Sequence, residues 1–216
     1  PGSVAYHGDM PRIEAPTVAE HNAMRRRQVA EAAVDVLMEK GVAGLHPAAV
    51  AARTGLARST MYQYYPSTEA LLRAAVEAML GTARERVEAA LAPVPTPAGR
   101  VGAYVRAALD DARSGHGRLV QVSLMEMPEV CRDEIRALHD RVSEPLREAL
   151  ESAGVPDARV VAGFVDGVVN ATARAIAQGA PAEPTVEAAV RFALAGAGFT
   201  SVQAPRPRAE VLSSVE

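Results

Sequence analysis

Cysteine, lysine and aromatic residues are all scarce in this sequence. The single cysteine, Cys131, excludes a disulfide framework within the chain and a zinc site built from several cysteines. Aromatic residues make up only 4% of the chain and there is no Trp, whereas Ala, Val and Leu are abundant. This composition favours helices that pack through small and medium aliphatic side chains.

The sequence also lacks the signatures of an enzyme and of a membrane protein. We find no Gly-rich phosphate loop, nucleophile elbow or His-Glu-x-x-His helix, and therefore expect no catalytic residue, no cofactor and no metal site. No apolar run approaches the roughly 20 residues that cross a bilayer, and the N-terminus has no apolar signal core. We therefore expect a cytoplasmic protein with no membrane partner.

Charge is unevenly distributed along the 216 residues. The chain carries a net charge of −3, with 49% hydrophobic and 23% charged residues, as in a soluble globular protein. Residues 25–66 alone carry +3, so the remainder carries −6. A basic segment within an acidic protein indicates that one end meets a polyanion.

Helical periodicity recurs along the chain, and no strand-like alternation stands out. Pro and Gly clusters separate the periodic segments, and Pro145 falls inside one of them, where it should kink or split the helix. We predict an all-α protein with helices at 25–40, 47–53, 57–65, 68–91, 99–114, 118–125, 131–153, 157–178 and 184–197.

The stretch "VAARTGLARSTMYQYY" (50–65) has the outline of a helix-turn-helix. Gly55 suits the turn, and Met61 and Tyr65 lie four residues apart as apolar anchors. With those two inward, the outward faces receive Arg58, Ser59, Thr60, Tyr62, Gln63 and Tyr64. These residue types suit contacts with base edges and phosphates, although a solvated helix in an ordinary bundle has the same composition.

Residues 25–72, about a fifth of the chain, resemble the DNA-binding domain of the TetR family of bacterial transcriptional regulators. "VAEAAVDVLMEKG" is similar to that family's first helix, "VAARTGL" to its second helix and turn, and "ARSTMYQYYPSTEALL" to its recognition helix and the start of helix four. Three elements in order at the expected spacing make the resemblance specific.

The resemblance implies a homodimer that binds a double-stranded DNA operator, and a small-molecule effector that enters a C-terminal pocket and moves helix four. Two-fold symmetry implies half-sites about 34–36 Å apart. We expect a flexible arm at 1–24, a helix-turn-helix domain at 25–70, a larger ligand-binding and dimerisation domain at 71–202 and a flexible tail at 203–216. The expected DNA-binding residues are Arg25, Arg26, Arg27, His46, Arg58, Ser59, Thr60, Tyr62, Gln63, Tyr64 and Thr68.

Three positions depart from the family pattern. His46 replaces the usual Thr or Ser before helix two, so it must cap that helix or contact phosphate. Ala57 stands where a Ser usually begins the recognition helix, and Thr68 stands where a Lys commonly contacts phosphate. A helical interaction module of the same fold, which acts through protein partners, is therefore the alternative function.

The C-terminal half supplies candidates for a dimer seam and an effector pocket. Small residues four apart in a Val-rich helix permit close helix approach, either to a second copy or to a neighbouring helix of the same chain. The predicted dimer interface is Gly163, Gly167, Ala171, Val190 and Leu194. Asp166, Asn170 and Arg174 form a parallel stripe that we interpret first as solvated; the alternative is that part of it lines a pocket or an interface.

Met and aromatic side chains suit an adaptable apolar pocket, although core packing explains each of them equally well. The predicted pocket residues are Met79, Tyr104, His116, Met125, Met127, Cys131, Phe164 and Val168.

Overall fold

The computed structural model describes residues 18–115 and 129–199, and within these ranges it contains nine α-helices and no β-strand. The helices are α1 (Val18–Gly44), α2 (Pro47–Thr54), α3 (Arg58–Tyr64), α4 (Thr68–Leu91), α5 (Pro97–Arg113), α6 (Glu129–Val142), α7 (Glu144–Ser152), α8 (Ala158–Ala177) and α9 (Ala182–Gly196). The all-α prediction is confirmed for this part of the chain. The helix predicted at 118–125 and the tail from 203 lie outside the described residues, as do positions 1–17 of the arm.

Helix α1 begins at Val18 rather than at Arg25, so residues 18–24 are helical. Residues 20–24 are exposed, so no apolar periodicity marks this end of the helix in the sequence. A helix can extend past its buried part because each added residue gains a backbone hydrogen bond without packing. Gly41, with φ 68° and ψ −176°, interrupts α1 where the sequence predicts its stop.

Proline placement accounts for the difference between the predicted and observed helices beyond residue 130. The single helix expected at 131–153 is divided at Ser143 into α6 and α7, and Pro145 lies in the first turn of α7. A proline is tolerated there because the first N–H groups of a helix have no intrahelical acceptor. The structure describes nine helices, the number that the sequence predicts. The two counts agree because the split adds one helix, while the helix predicted at 118–125 lies outside the described residues.

Two clusters of buried side chains form the core. The N-terminal cluster contains residues from helices α1, α2, α3 and α4 and one residue of α6. Its members are Val29, Ala32, Ala33, Val36, Leu37, Leu45, Val50, Ala51, Met61, Leu71, Leu72, Ala75, Val76, Met79, Leu80 and Ile135. The C-terminal cluster joins the end of α4 to α5, α7, α8 and α9, and it contains Val87, Leu91, Val101, Tyr104, Val105, Leu109, Leu146, Leu150, Ala158, Ala162, Val165, Val169, Ala189, Val190, Ala193 and Ala197. Helix α4 therefore contributes to both clusters.

Helix α8 departs from the expectation that no segment has membrane-spanning length. Its 20 residues reach a mean hydropathy of 1.4 over an 18-residue window, which is long and apolar enough by length and composition alone. Only 22% of that window is buried within the chain. This is weak evidence for a membrane span, because helices of cores and interfaces pass the same test, and α8 packs against α5, α7 and α9.

The start of α4 depends on one hydroxyl. Ser67 Oγ accepts a hydrogen bond from the backbone N–H of Ala70 at 3.1 Å, as the sequence predicts for an N-cap. We expect Ser67→Ala to lower the free energy of unfolding by about 1 kcal/mol, because an N–H group loses its acceptor. Urea denaturation followed by circular dichroism measures the change. Ser59→Ala, whose hydroxyl caps no helix, is the matched control, and equal losses in the two variants would contradict the prediction.

Candidate nucleic-acid interface

Helices α2 and α3 are joined by a tight turn with a defined start and end. His46 Nδ1 accepts a hydrogen bond from the backbone N–H of Ala49 at 3.1 Å, so His46 caps α2. Gly55 ends α2 with φ 68° and ψ 14°, a left-handed conformation that a residue with a Cβ adopts at a cost. The local sequence therefore fixes the angle between the two short helices.

Helix α3 has only seven residues and is held by side chains at its C-terminal end. Its N-cap residue, Ala57, makes no side-chain capping bond. Met61 is fully buried in the N-terminal cluster. The hydroxyl of Tyr65 donates a hydrogen bond to the Arg26 carbonyl at 3.2 Å, and the Arg26 guanidinium lies 5.8 Å from the centre of the Tyr65 ring. Because so short a helix is unstable alone, these contacts determine its position.

The opposite side of α3 presents polar residues to solvent. Arg58, Ser59, Tyr62 and Gln63 are exposed, and Thr60 is half-buried. The Arg58 guanidinium lies 6.0 Å from the centre of the Tyr62 ring, a distance that permits a weak cation–π contact. We call these five residues the reading face.

The other predicted DNA-binding residues differ in exposure. Tyr64 is half-buried and packs against the N-terminal cluster, so only part of its ring faces outward. Arg25 is half-buried and donates a hydrogen bond to Gln28. The exposed members of the set are Arg26, Arg27, His46 and Thr68.

One arginine of the basic segment is already neutralised by neighbouring acids. Arg53 at the end of α2 contacts Asp35 at 3.3 Å and Glu39 at 2.6 Å, both on α1. The hydrogen bond from Arg53 holds the pKa of the Glu39 carboxyl below its ordinary value. Sequence reasoning missed this contact because the partners are far apart in sequence. Asp35 and Glu39, one helical turn apart, are the only local signal of it.

Comparison with known proteins identifies this arrangement. A model of a family described as "Bacterial regulatory proteins, tetR family" matches residues 29–75, which cover the helix-turn-helix and its supporting helices. The chain is also 30% identical over 83 residues to the HTH-type transcriptional regulator BetI of Rhizobium meliloti (strain 1021).

Residues 29–75 of the chain belong to the tetR family of bacterial regulatory proteins. The aligned region covers 38% of this chain and 41% of the BetI relative, so the chain matches about two fifths of that protein's length. Neither match is to an enzyme.

Solved structures support the same fold for the tetR-family chain over most of its length. The regulator FadR from Bacillus subtilis, in complex with stearoyl-CoA, is 19% identical with a TM-score of 0.66, covering 78% of this chain and 97% of FadR. A transcriptional regulator from Saccharomonospora viridis, in complex with choline, is 17% identical with a TM-score of 0.60, covering 79% of this chain and 94% of that one. At these identities the likeness concerns the fold.

The predicted pocket residues of this tetR-family chain do not come together in the described structure. Met79 is buried in the N-terminal cluster, whereas Tyr104 is buried in the C-terminal cluster and Val168 packs against it. Phe164 is 68% exposed and points away from both. His116, Met125 and Met127 lie outside the described residues, as does the side chain of Cys131.

Two cavities open elsewhere in this half of the molecule. A groove of about 620 Å³ between α4 and α5 is lined by Arg86, Ala90, Ala103, Arg106, Ala107, Asp110, Asp111 and Ser114. A cavity of about 230 Å³ between α6, α7 and α8 is lined by Asp140, Ser143, Arg147, Arg159, Ala162, Gly163 and Asp166. Neither contains a predicted pocket residue.

A buried polar cluster lies behind the smaller cavity, and we call Tyr104, Ser143 and Asp166 the hydroxyl–carboxylate triad. The Asp166 carboxylate accepts hydrogen bonds from the Tyr104 hydroxyl at 2.5 Å and from Ser143 Oγ at 2.7 Å. The two hydroxyl oxygens are 3.1 Å apart. The triad joins α5, the break before α7, and α8. Of the predicted stripe, Asn170 and Arg174 are exposed, whereas Asp166 is half-buried and lines the smaller cavity.

The predicted interface residues divide into two groups. Gly163, Gly167 and Ala171 are exposed, and a Cβ placed on either glycine would meet no atom within 4 Å. Val190 is only 6% exposed and packs inside the chain, since a Cβ on Gly102 would lie 3.5 Å from it. Helix α9 turns Val190 toward the C-terminal cluster, which makes it unavailable to a second copy, and Leu194 is half-buried there.

The exposed glycines lie within a wider apolar surface. Val160 is 54% exposed, and Phe164 on α8 and Phe192 on α9 are each 68% exposed. We group the residues exposed on one side of α8, which are Val160, Gly163, Phe164, Gly167 and Ala171, with the exposed Phe192 of the adjacent α9, and call this set the α8–α9 face. The alternative of an intramolecular neighbour finds no support at the two glycines among the described residues.

Because of the triad, we expect the free energy of unfolding to depend on pH in the alkaline range. Burial, reinforced by the adjacent Asp166 carboxylate, raises the pKa of Tyr104 well above its ordinary value of about 10. Above that pH the unfolded chain loses the Tyr104 proton while the folded protein keeps it, so the free energy of unfolding should fall as pH rises.

Urea denaturation between pH 9 and roughly 11 measures this slope. Tyr104→Phe should make the slope shallower because the titrating group is gone. Tyr62→Phe, which alters an exposed ring, should leave the slope unchanged. A slope as steep in Tyr104→Phe as in the unaltered protein would mean that another group, such as Tyr65, whose pKa is also raised by burial, causes it.

Proposed function

We propose that the protein is a cytoplasmic, ligand-responsive transcriptional repressor that binds a pseudo-palindromic DNA operator as a homodimer and is released by a small molecule. The observation that carries this proposal is the reading face. It exposes Arg58 and Gln63 on a short helix whose other side is anchored by Met61 and Tyr65. Arg suits guanine edges and Gln suits adenine edges in the major groove.

The charge distribution supports DNA as the partner. Arg53 is occupied by Asp35 and Glu39, so the positive charge of residues 25–66 left for a polyanion lies on Arg25, Arg26, Arg27, Lys40 and Arg58. Arginines at both ends of one surface are suited to phosphates that flank a contacted base sequence. Thr68 at the start of α4 adds an exposed hydroxyl without charge.

The α8–α9 face supports a homodimer. Its glycines allow close approach of a second helix, and its two phenylalanines would be removed from water by such a contact. A two-fold axis through this face would present two copies of α3 to successive major grooves of the operator.

Effector chemistry is the least specified part of the proposal. The structural relatives were solved with stearoyl-CoA and with choline, an acyl thioester and a quaternary ammonium compound. These ligands share no recognition chemistry, so the relatives favour a small-molecule effector without selecting its class.

Footprinting of the purified protein on its own upstream DNA tests the whole proposal. The assay should be repeated with a panel of acyl-CoA esters, quaternary ammonium compounds and neutral apolar molecules. Protection of two half-sites, lost with one chemical class, is the expected result. Absence of protection on any upstream fragment, even at low salt, would instead favour the alternative of a helical module that acts through protein partners.

The reading face makes a prediction about specificity. Arg58→Ala and Gln63→Ala should each reduce operator affinity by about 1–3 kcal/mol and relax the preference at one base position. Arg27→Ala should weaken binding evenly across sequences and make the salt dependence shallower. Arg147→Ala, on α7, is the control. Fluorescence anisotropy with a set of single-base operator variants measures all four, and unchanged preference in both reading-face variants would show that this face was misassigned.

The α8–α9 face makes a prediction about assembly. Phe164→Glu combined with Phe192→Glu should convert a dimer into monomers, because two carboxylates would lose water at the interface. Sedimentation equilibrium measures the mass. Met24→Glu adds a carboxylate at an exposed apolar residue of α1 and should leave the dimer intact. A double variant that remains dimeric would place the interface elsewhere.

A further inference from the structure

We propose that α6 is a second connection, besides α4, between the two halves of the molecule, and that the hydroxyl–carboxylate triad positions its C-terminal end. Resting on the proposed function, this inference identifies residues that would relay an effector's presence to the reading face. Helix α6 follows α5 of the C-terminal half in the chain. The first observation is that α6 nevertheless packs into the N-terminal cluster.

The contacts between α6 and the N-terminal half are both apolar and charged. Ile135 is completely buried in the N-terminal cluster, and Leu138 packs against that cluster one turn later. Glu134 contacts Arg73 of α4 across 2.7 Å. A displacement of α6 would therefore act on the first half of α4, which shares the N-terminal cluster with Met61 of α3.

The other end of α6 is held by the triad. The helix ends at Val142, which packs against both clusters, and Ser143 forms the break before α7. Ser143 is 9% exposed and Tyr104 is 2% exposed, and the half-buried Asp166 gives both hydroxyls an acceptor. The break is thus tied to α5 by Tyr104 and to α8 by Asp166.

Counting protons shows why Asp166 is central. Each hydroxyl has one proton, and both protons go to the Asp166 carboxylate, so the contact between Tyr104 and Ser143 carries no proton of its own. Among the described residues Asp166 forms no ion pair, and both of its hydrogen bonds come from neutral hydroxyls. A movement of α5 or α8 would therefore alter the position of Ser143.

Helices α4 and α6 therefore form two supports that differ in continuity. Helix α4 runs unbroken from one cluster to the other, whereas α6 joins the C-terminal half through the triad at its break. A rearrangement around α5 and α8 can shift α6 without bending α4. Tyr104, Ser143 and Asp166 are positioning residues in this scheme, and none of them contacts DNA.

Hydrogen exchange of the full chain, measured by mass spectrometry without DNA or effector, tests the inference. Ser143→Ala should accelerate exchange about tenfold in α6 and also in the first half of α4, because the end of α6 is no longer held. Ser152→Ala, the same change in α7, should alter neither segment, since its hydroxyl bonds only to the Ala149 carbonyl of its own helix.

A second control separates transmission through α6 from general loosening. Val190→Ala removes apolar contacts from the C-terminal cluster, to which Tyr104 also belongs, but leaves all three hydrogen-bonding groups of the triad present. It should accelerate exchange in α5 and α9 while leaving the first half of α4 protected. Equal acceleration in α4 for Val190→Ala and Ser143→Ala would overturn the inference, as would acceleration in Ser143→Ala confined to α6, α7 and α8.

Two glutamates on the same arginine offer the sharpest comparison. Arg73 contacts Glu77 within α4 at 2.9 Å and Glu134 on α6 at 2.7 Å. In a Glu134→Gln background, Ser143→Ala should still accelerate exchange in α6 but have a smaller effect in α4. In a Glu77→Gln background the full effect in α4 should remain. Identical behaviour in the two backgrounds would contradict a route through Glu134.

If Ser143→Ala does not fold, Asp166→Asn provides the same test with little change of shape, because one hydroxyl loses its acceptor. Operator affinity of the same variants is a separate measurement. If the protein binds no operator, the proposed function fails while the exchange data still decide the inference. If it binds, Ser143→Ala should change operator affinity severalfold and Ser152→Ala should not.

Discussion

The burial of one helix in two cores is the constraint on which the rest of the structure depends. Leu71, Leu72 and Val76 of α4 belong to the N-terminal cluster, and Val87 and Leu91 belong to the C-terminal cluster. A 24-residue helix spans about 36 Å, so these contacts fix the two clusters at either end of a stiff element. Neither cluster can rearrange around α4 without affecting the contacts of the other.

The residues of the reading face are exposed because the core buries the other side of α3. Helix α3 is too short to be stable alone, and Met61 with Tyr65 supplies the contacts that hold it. Their burial determines which residues remain outside, so specificity and stability are assigned to different sides of one short segment. The link between Tyr65 and Arg26 also places the basic segment of α1 around Arg26 beside α3.

Local signals predicted the helix-turn-helix and the division at Pro145, because capping residues, glycine turns and proline act within a few positions of themselves. The pocket was not predictable in the same way. Met79 and Phe164 are both of residue types suited to a cavity. Nevertheless, Met79 lies in the N-terminal cluster and Phe164 is exposed to solvent. Burial of such residues depends on contacts between distant segments. The same limit hid the ion pairs of Arg53 and the bonds of Asp166.

Helix α8 brings two of these distant relationships together. Asp166 faces the break between α6 and α7, while Gly163 and Gly167 on the same helix leave an open apolar surface. A second copy seated on that surface would restrict rotation of α8 about its axis, and such rotation is the movement that would carry Asp166 away from Ser143. A dimer formed on that surface would therefore be linked to the position of α6 through a single helix. An effector that alters the packing of α8 would act on both, and through Ile135 on the support of the reading face.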